Sequence, residues 1–165
     1  MFKLFGALGI FISSLIFGFS TAHSLKKRCE SLKSLTRAFE RIAAETSFTK
    51  KRLERIFAET AREYNLPVFA DAAFKLQKSG IKSAWEESIT SYAAEMALTE
   101  SDRKAALTLS SLGDYTGSEQ EKCLKTAEKL LKLSLQDAEE CYQKSAKLYR
   151  SSGLLFGLLA VILLF

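Results

Sequence analysis

Two uncharged apolar runs, one at each end of the chain, constrain this sequence more than anything between them. Residues 4 to 20 read Leu-Phe-Gly-Ala-Leu-Gly-Ile-Phe-Ile-Ser-Ser-Leu-Ile-Phe-Gly-Phe-Ser, without a single charge. As a helix this run is about 26 Å long, close to the roughly 30 Å of a bilayer's hydrocarbon core. Leu154 to Phe165 is apolar throughout, with Gly157 its one glycine. Begun at Ser151, that helix reaches about 22 Å, which is short for a span. Thinning of the bilayer, or Tyr149 and Arg150 reaching out to the interface, closes the gap. The runs predict transmembrane helices over 4–21 and 151–165. Between them the chain is rich in charge. It is 26% charged and 47% hydrophobic, yet its mean hydropathy is zero, so the apolar residues are segregated rather than few.

The first run has an alternative reading as a cleaved signal peptide. Lys3 makes a thin basic start, and Ser20-Thr21-Ala22 has the small-x-small form of a cleavage site. Lys26, Lys27 and Arg28 follow at once, the flank expected where a retained helix meets the cytoplasm, so we read an anchor. Lys144, Lys147 and Arg150 precede the second run. By the positive-inside rule the middle of the chain is cytoplasmic and both termini face outward. Cys29, Cys123 and Cys141 are odd in number and widely spaced, unlike a secreted disulfide framework, and read as small buried hydrophobes.

The middle, residues 24–150, carries helical periodicity throughout. Leu25, Leu32, Leu35, Phe39 and Ile42 form a short heptad seam of coiled-coil type. Leu53, Ile56, Phe57, Ala61 and Tyr64 make a second stripe. Pro67, the lone proline, suits the first turn of a helix through Phe69, Ala73 and Leu76, which Ser79-Gly80 ends. Ser83 with Glu86, Thr99 with Asp102, and Ser118 with Glu121 have the spacing of capping boxes. They open helices through Trp85, Ile89, Tyr92 and Met96, then a short one to about Leu112, then the longest. Its stripe of Leu124, Ala127, Leu131, Leu135, Ala138, Tyr142 and Leu148 runs toward the terminal span. Gly113 and Gly117 bracket the turn before it. No segment alternates like a strand, and no repeat is present. The sequence predicts an all-α protein, an antiparallel bundle of about six helices flanked by two transmembrane helices.

Charge is uneven within the bundle. Residues 26 to 55 hold ten basic and four acidic side chains, whereas residues 56 to 150 hold thirteen and fifteen. Lys26, Lys27, Arg28, Lys147 and Arg150 fall where the outer helices meet the membrane, and they are the candidates for contact with anionic headgroups. No nucleic-acid motif accompanies the charge. His23 is the only histidine, and no P-loop, dinucleotide fingerprint or nucleophile elbow occurs. Nothing calls for catalysis, a cofactor, a metal or a small-molecule substrate. Trp85 reads as core rather than as an exposed anchor.

One ordered set of motifs resembles a known family. Lys3-Leu4-Phe5-Gly6 opens the first run, and Ser83-Ala84-Trp85-Glu86-Glu87-Ser88 stands in mid-chain. Leu109-Ser110-Ser111-Leu112-Gly113, then Gly117 and Gln120, precede the long helix, and Gly153 to Leu164 closes the chain. Together they resemble the stage III sporulation protein AB family, over essentially the whole chain. Thr116-Gly117 and Ser118-Glu119 depart from the pattern, where family members often carry a second Leu-Gly pair and an Asp. The resemblance implies a component of the mother-cell machinery that connects to the forespore in endospore-forming bacteria. It implies a cytoplasmic domain similar to the F-domain of platform proteins in type II secretion and type IV pilus systems. The implied role is a non-enzymatic scaffold linking other channel subunits and a secretion-type ATPase to the membrane, a role carried by fold and not by residue chemistry. The alternative is an exported helical binding module whose signal peptide is removed.

Overall fold

The computed structural model describes residues 2–48, 52–114 and 118–164. It describes their side chains except at 2–5, 7, 8, 10, 11, 15, 47, 48, 113, 114, 118, 146, 147, 150, 153, 154, 156–158 and 160–164. These residues form six α-helices and one 3-10 helix, with no strand among them. In chain order they are α1 (Phe2–Phe48), α2 (Leu53–Tyr64), α3 (Pro67–Leu76), α4 (Ile81–Tyr92), α5 (Glu100–Leu107), the 3-10 helix (Thr108–Asp114) and α6 (Ser118–Leu164).

Glu30–Gln136 makes one compact unit. Its core is built from the expected stripes. Leu32, Leu35, Phe39 and Ile42 of α1 are fully buried, as are Ile56 and Phe57 of α2 and Phe69 of α3. Phe57 meets Phe69 edge-on at 5.2 Å between ring centres, and Trp85 of α4 lies 4.9 Å from Phe69 and 5.9 Å from Phe39. Four aromatic rings from four helices thus close on one point, and such ring pairs are worth about 0.5–1.5 kcal/mol each beyond buried area. The indole N–H of Trp85 donates 2.8 Å to the Ala106 carbonyl, so the largest side chain is buried without an orphan donor.

Local signals explain most boundaries. Pro67 opens α3, where its missing N–H costs nothing. Thr99 and Asp102 form a complete capping box at α5. The Ser83 capping box is corrected: α4 begins at Ile81 with Gly80 at its N-cap, and the Ser83 hydroxyl bonds back to the Gly80 carbonyl. Gly80 therefore starts α4, while α3 has already ended at Leu76. At Ser118 the third box lies outside the described side chains.

The second unit gathers the chain ends, Met1–Cys29 and Asp137–Phe165. Its apolar side chains face outward more than inward: Ile16, Phe17, Phe19, Leu155 and Leu159 are all more than half exposed. Leu148, placed by sequence on the buried stripe, is exposed, whereas Leu124, Ala127, Leu131 and Ala138 are buried as expected. Among the described residues no helix is long and apolar enough to cross a membrane, and both apolar runs hold positions whose side chains lie outside that set.

Candidate functional site

The unit of chain ends concentrates positive charge. It holds seven basic and three acidic residues, and Lys26, Lys27, Arg28, Lys147 and Arg150 all belong to it. Lys26 and Lys27 are exposed on α1 and Arg28 is half-buried. Lys147 and Arg150 lie on α6, with side chains outside the described set. Lys144 is tied to Glu140 at 3.0 Å. Next to this basic group, burial pushes the Cys29 thiol up; the Glu139 carboxylate and the Cys141 thiol push the same way, against Arg28. A thiol held protonated in this way is a poor nucleophile. The three cysteines are free and half-buried, rather than fully buried as the sequence suggested.

Of the family-motif residues, Leu112 and Gln120 meet in the other unit. Leu112 is fully buried at the end of the 3-10 helix, and the Gln120 side chain donates 3.2 Å to its carbonyl. That bond satisfies an acceptor which the end of a helix leaves open, and it ties the 3-10 helix to α6. Gly113 is in the 3-10 helix, and Gly117 lies outside the described residues. Beside them is a cavity of about 370 Å³, lined by Thr108, Ser111, Glu119, Lys122, Cys123 and Thr126. The Cys123 sulfur is 3.3 Å from the Ser111 hydroxyl and donates 3.6 Å to the Thr108 carbonyl, an arrangement that packs helices.

Sequence reading missed two polar networks. On α1, Arg41 reaches Glu45 and Glu59, each at 3.8 Å, and Glu63, fastening α2 to α1. Asp71 accepts from Ser88 at 2.7 Å and from Lys75 at 2.8 Å, joining α3 to the buried face of α4. Its carboxyl is pushed up by burial but held below the usual range by those two hydrogen bonds and the Lys75 charge. Of these, the four-residue spacings of Arg41 with Glu45 and of Asp71 with Lys75 are visible in the sequence. No cluster able to hold a metal ion occurs among the described residues.

The family model for stage III sporulation protein AB matches residues 3–165. The chain belongs to that family. A stage III sporulation protein AB from Bacillus subtilis (strain 168) is 29% identical over 171 residues, covering 99% of each chain. A solved stage III sporulation protein AB superposes with a TM-score of 0.66 at 21% identity, covering 71% of this chain and 97% of that one. The structural comparison establishes likeness of fold. The stage III sporulation protein AB family is thus reached through sequence, and its helical fold through structure.

Proposed function

We propose that this chain is a non-enzymatic, two-anchor membrane scaffold of a sporulation-specific, secretion-like channel between mother cell and forespore. In this reading its bundle is cytoplasmic and links a secretion-type ATPase to other channel subunits. The observation carrying the anchor is where the apolar side chains are exposed. The unit of chain ends shows Ile12, Ile16, Phe17, Phe19, Leu155 and Leu159 at its surface, while in the bundle Phe74, Leu130 and Leu133 are the exposed large apolar residues among the described side chains, the others being buried or half-buried. Exposed apolar surface on this scale suits lipid better than water. The basic residues of the same unit suit an anionic leaflet, at about 1 kcal/mol each near the surface. The adapter role rests on family membership and on a bundle held by packing, with Arg41 and Asp71 bonding between helices.

The test is topological. In a variant with Cys29, Cys123 and Cys141 replaced by alanine, cysteine is introduced at Lys82, an exposed position of the bundle. It should resist an impermeant maleimide in intact cells and react after permeabilisation. Labelling in intact cells would overturn the cytoplasmic assignment, and an intact mass lacking residues 1–22 would favour the exported module. In sporulating cells without this chain, the ATPase should shift from the membrane to the soluble fraction. An ATPase that stays at the membrane would sink the adapter role.

A further inference from the structure

The outer face of α2 and α3 combines a groove with an exposed phenylalanine. Between the two helices runs a groove of about 560 Å³ with Ala58, Ala61, Leu66, Pro67 and Ala70 on its walls. This size falls among pockets that accept a large side chain or a small ligand. Four residues beyond Ala70, on the same face of α3, Phe74 is 58% exposed. Pro67, Ala70 and Phe74 therefore form one apolar strip. Isolated surface phenylalanines are ordinary, but this one continues the strip of a formed groove.

The rim supplies the polarity. Glu59 and Glu63 of α2 pair with Arg41 of α1, and Glu59 also with Arg55, so both carboxylates already have cationic partners. Arg62, at the groove, is exposed and has no carboxylate partner among the described residues. At the far end of α3 the Lys78 ammonium lies 5.1 Å from the centre of the Phe74 ring. One acid, Glu95, lines the groove against these cations. An apolar strip with basic ends is complementary to an amphipathic helix whose polar face is acidic.

We propose that this face is a docking groove for an acidic amphipathic helix of a partner protein, with apolar side chains seated along Pro67, Ala70 and Phe74 and carboxylates meeting Arg62 and Lys78. The proposal does not depend on the anchor assignment.

The test uses the full chain in zwitterionic nanodiscs, with empty nanodiscs as baseline. The probe is a fluorescent 18-residue peptide with leucines along one helical face and glutamates on the other. Fluorescence anisotropy should show saturable binding that weakens as salt rises. Phe74→Ser, and Arg62→Glu combined with Lys78→Glu, should each weaken it at least tenfold with circular dichroism unchanged. The double charge reversal should in turn favour a peptide with lysine in place of glutamate. Equal binding by the parent and both variants, or equal binding of a peptide with scattered leucines, overturns the proposal. So does self-association of the chain lost with Phe74→Ser, which would make a second copy the occupant. Binding to anionic vesicles lost in the same variants, without peptide binding, assigns the face to lipid and overturns it too.

Discussion

Trp85 and Asp71 show two ways in which one side chain holds several helices. Trp85 fills the point where α1, α2 and α3 meet α4, and its N–H is bonded to the Ala106 carbonyl. Trp85→Ala should cost about 3–5 kcal/mol, read as a shift of the urea midpoint; Trp85→Phe, which keeps a ring but loses the bond, should cost less. A folded Trp85→Ala of parental stability would refute the core assignment. Asp71 acts through charge. Its carboxyl is depressed in the fold, so its stabilisation is complete above the unfolded value of about 3.9 and is lost as pH falls through the lower folded one. Asp71→Asn should therefore flatten the fall of the urea midpoint on acidification below roughly pH 5. An unchanged profile would show that Asp71 takes no part. The position of Trp85 was legible because periodicity marks the buried face. The Asp71–Ser88 bond was not, since it joins residues 17 apart and depends on how α3 crosses α4.

At the scale of elements, the sequence was most readable where a cap or breaker acts alone. Pro67 and the Thr99–Asp102 pair mark their helix starts correctly. Ser83 with Glu86 has the same spacing as a capping box, but two serviceable residues, Ile81 and Lys82, precede it, and the helix takes them up with Gly80 extended before it. The spacing alone does not separate a first turn from a second. The turn between α4 and α5 carries a different signal that composition hides. Ala97 has a φ of 54°, in the left-handed region where a Cβ is strained. Ala97→Gly should relieve that strain and stabilise the bundle by up to about 1 kcal/mol, measurable as a rise in Tm. A drop would mean that the Ala97 methyl contributes more by packing than its backbone loses.

For the whole molecule, both apolar runs were plain in the sequence, and the structure assigns both chain ends to the same unit. Their exposed apolar side chains follow from the runs themselves, because a helix apolar all round cannot bury every face against a single neighbour. In the two-anchor arrangement proposed above, the sign of the flanking charge would govern orientation. Replacing Lys26, Lys27 and Arg28 with glutamine should make a cysteine at position 82 reactive to impermeant maleimide in a fraction of intact cells. The same change at Lys122, Lys125 and Lys129 should leave it protected. Equal effects would show that total charge, and not its place beside the apolar run, sets the topology. What the sequence could not show was the α2–α3 groove, which exists only once the two helices pack with Ala58, Ala61 and Ala70 between them.

The burial of Trp85 has an optical consequence. It is the only indole in the chain, and it lies within the Glu30–Gln136 unit against three phenylalanine rings. Its emission should be blue-shifted, inaccessible to iodide, and sensitive to the melting of this unit alone. Ellipticity at 222 nm sums both units. Superimposed emission and ellipticity curves would mean a single cooperative transition. If the emission curve breaks first, the paired chain ends keep their helicity after the bundle has opened, and one unmodified chromophore is enough to tell the two apart.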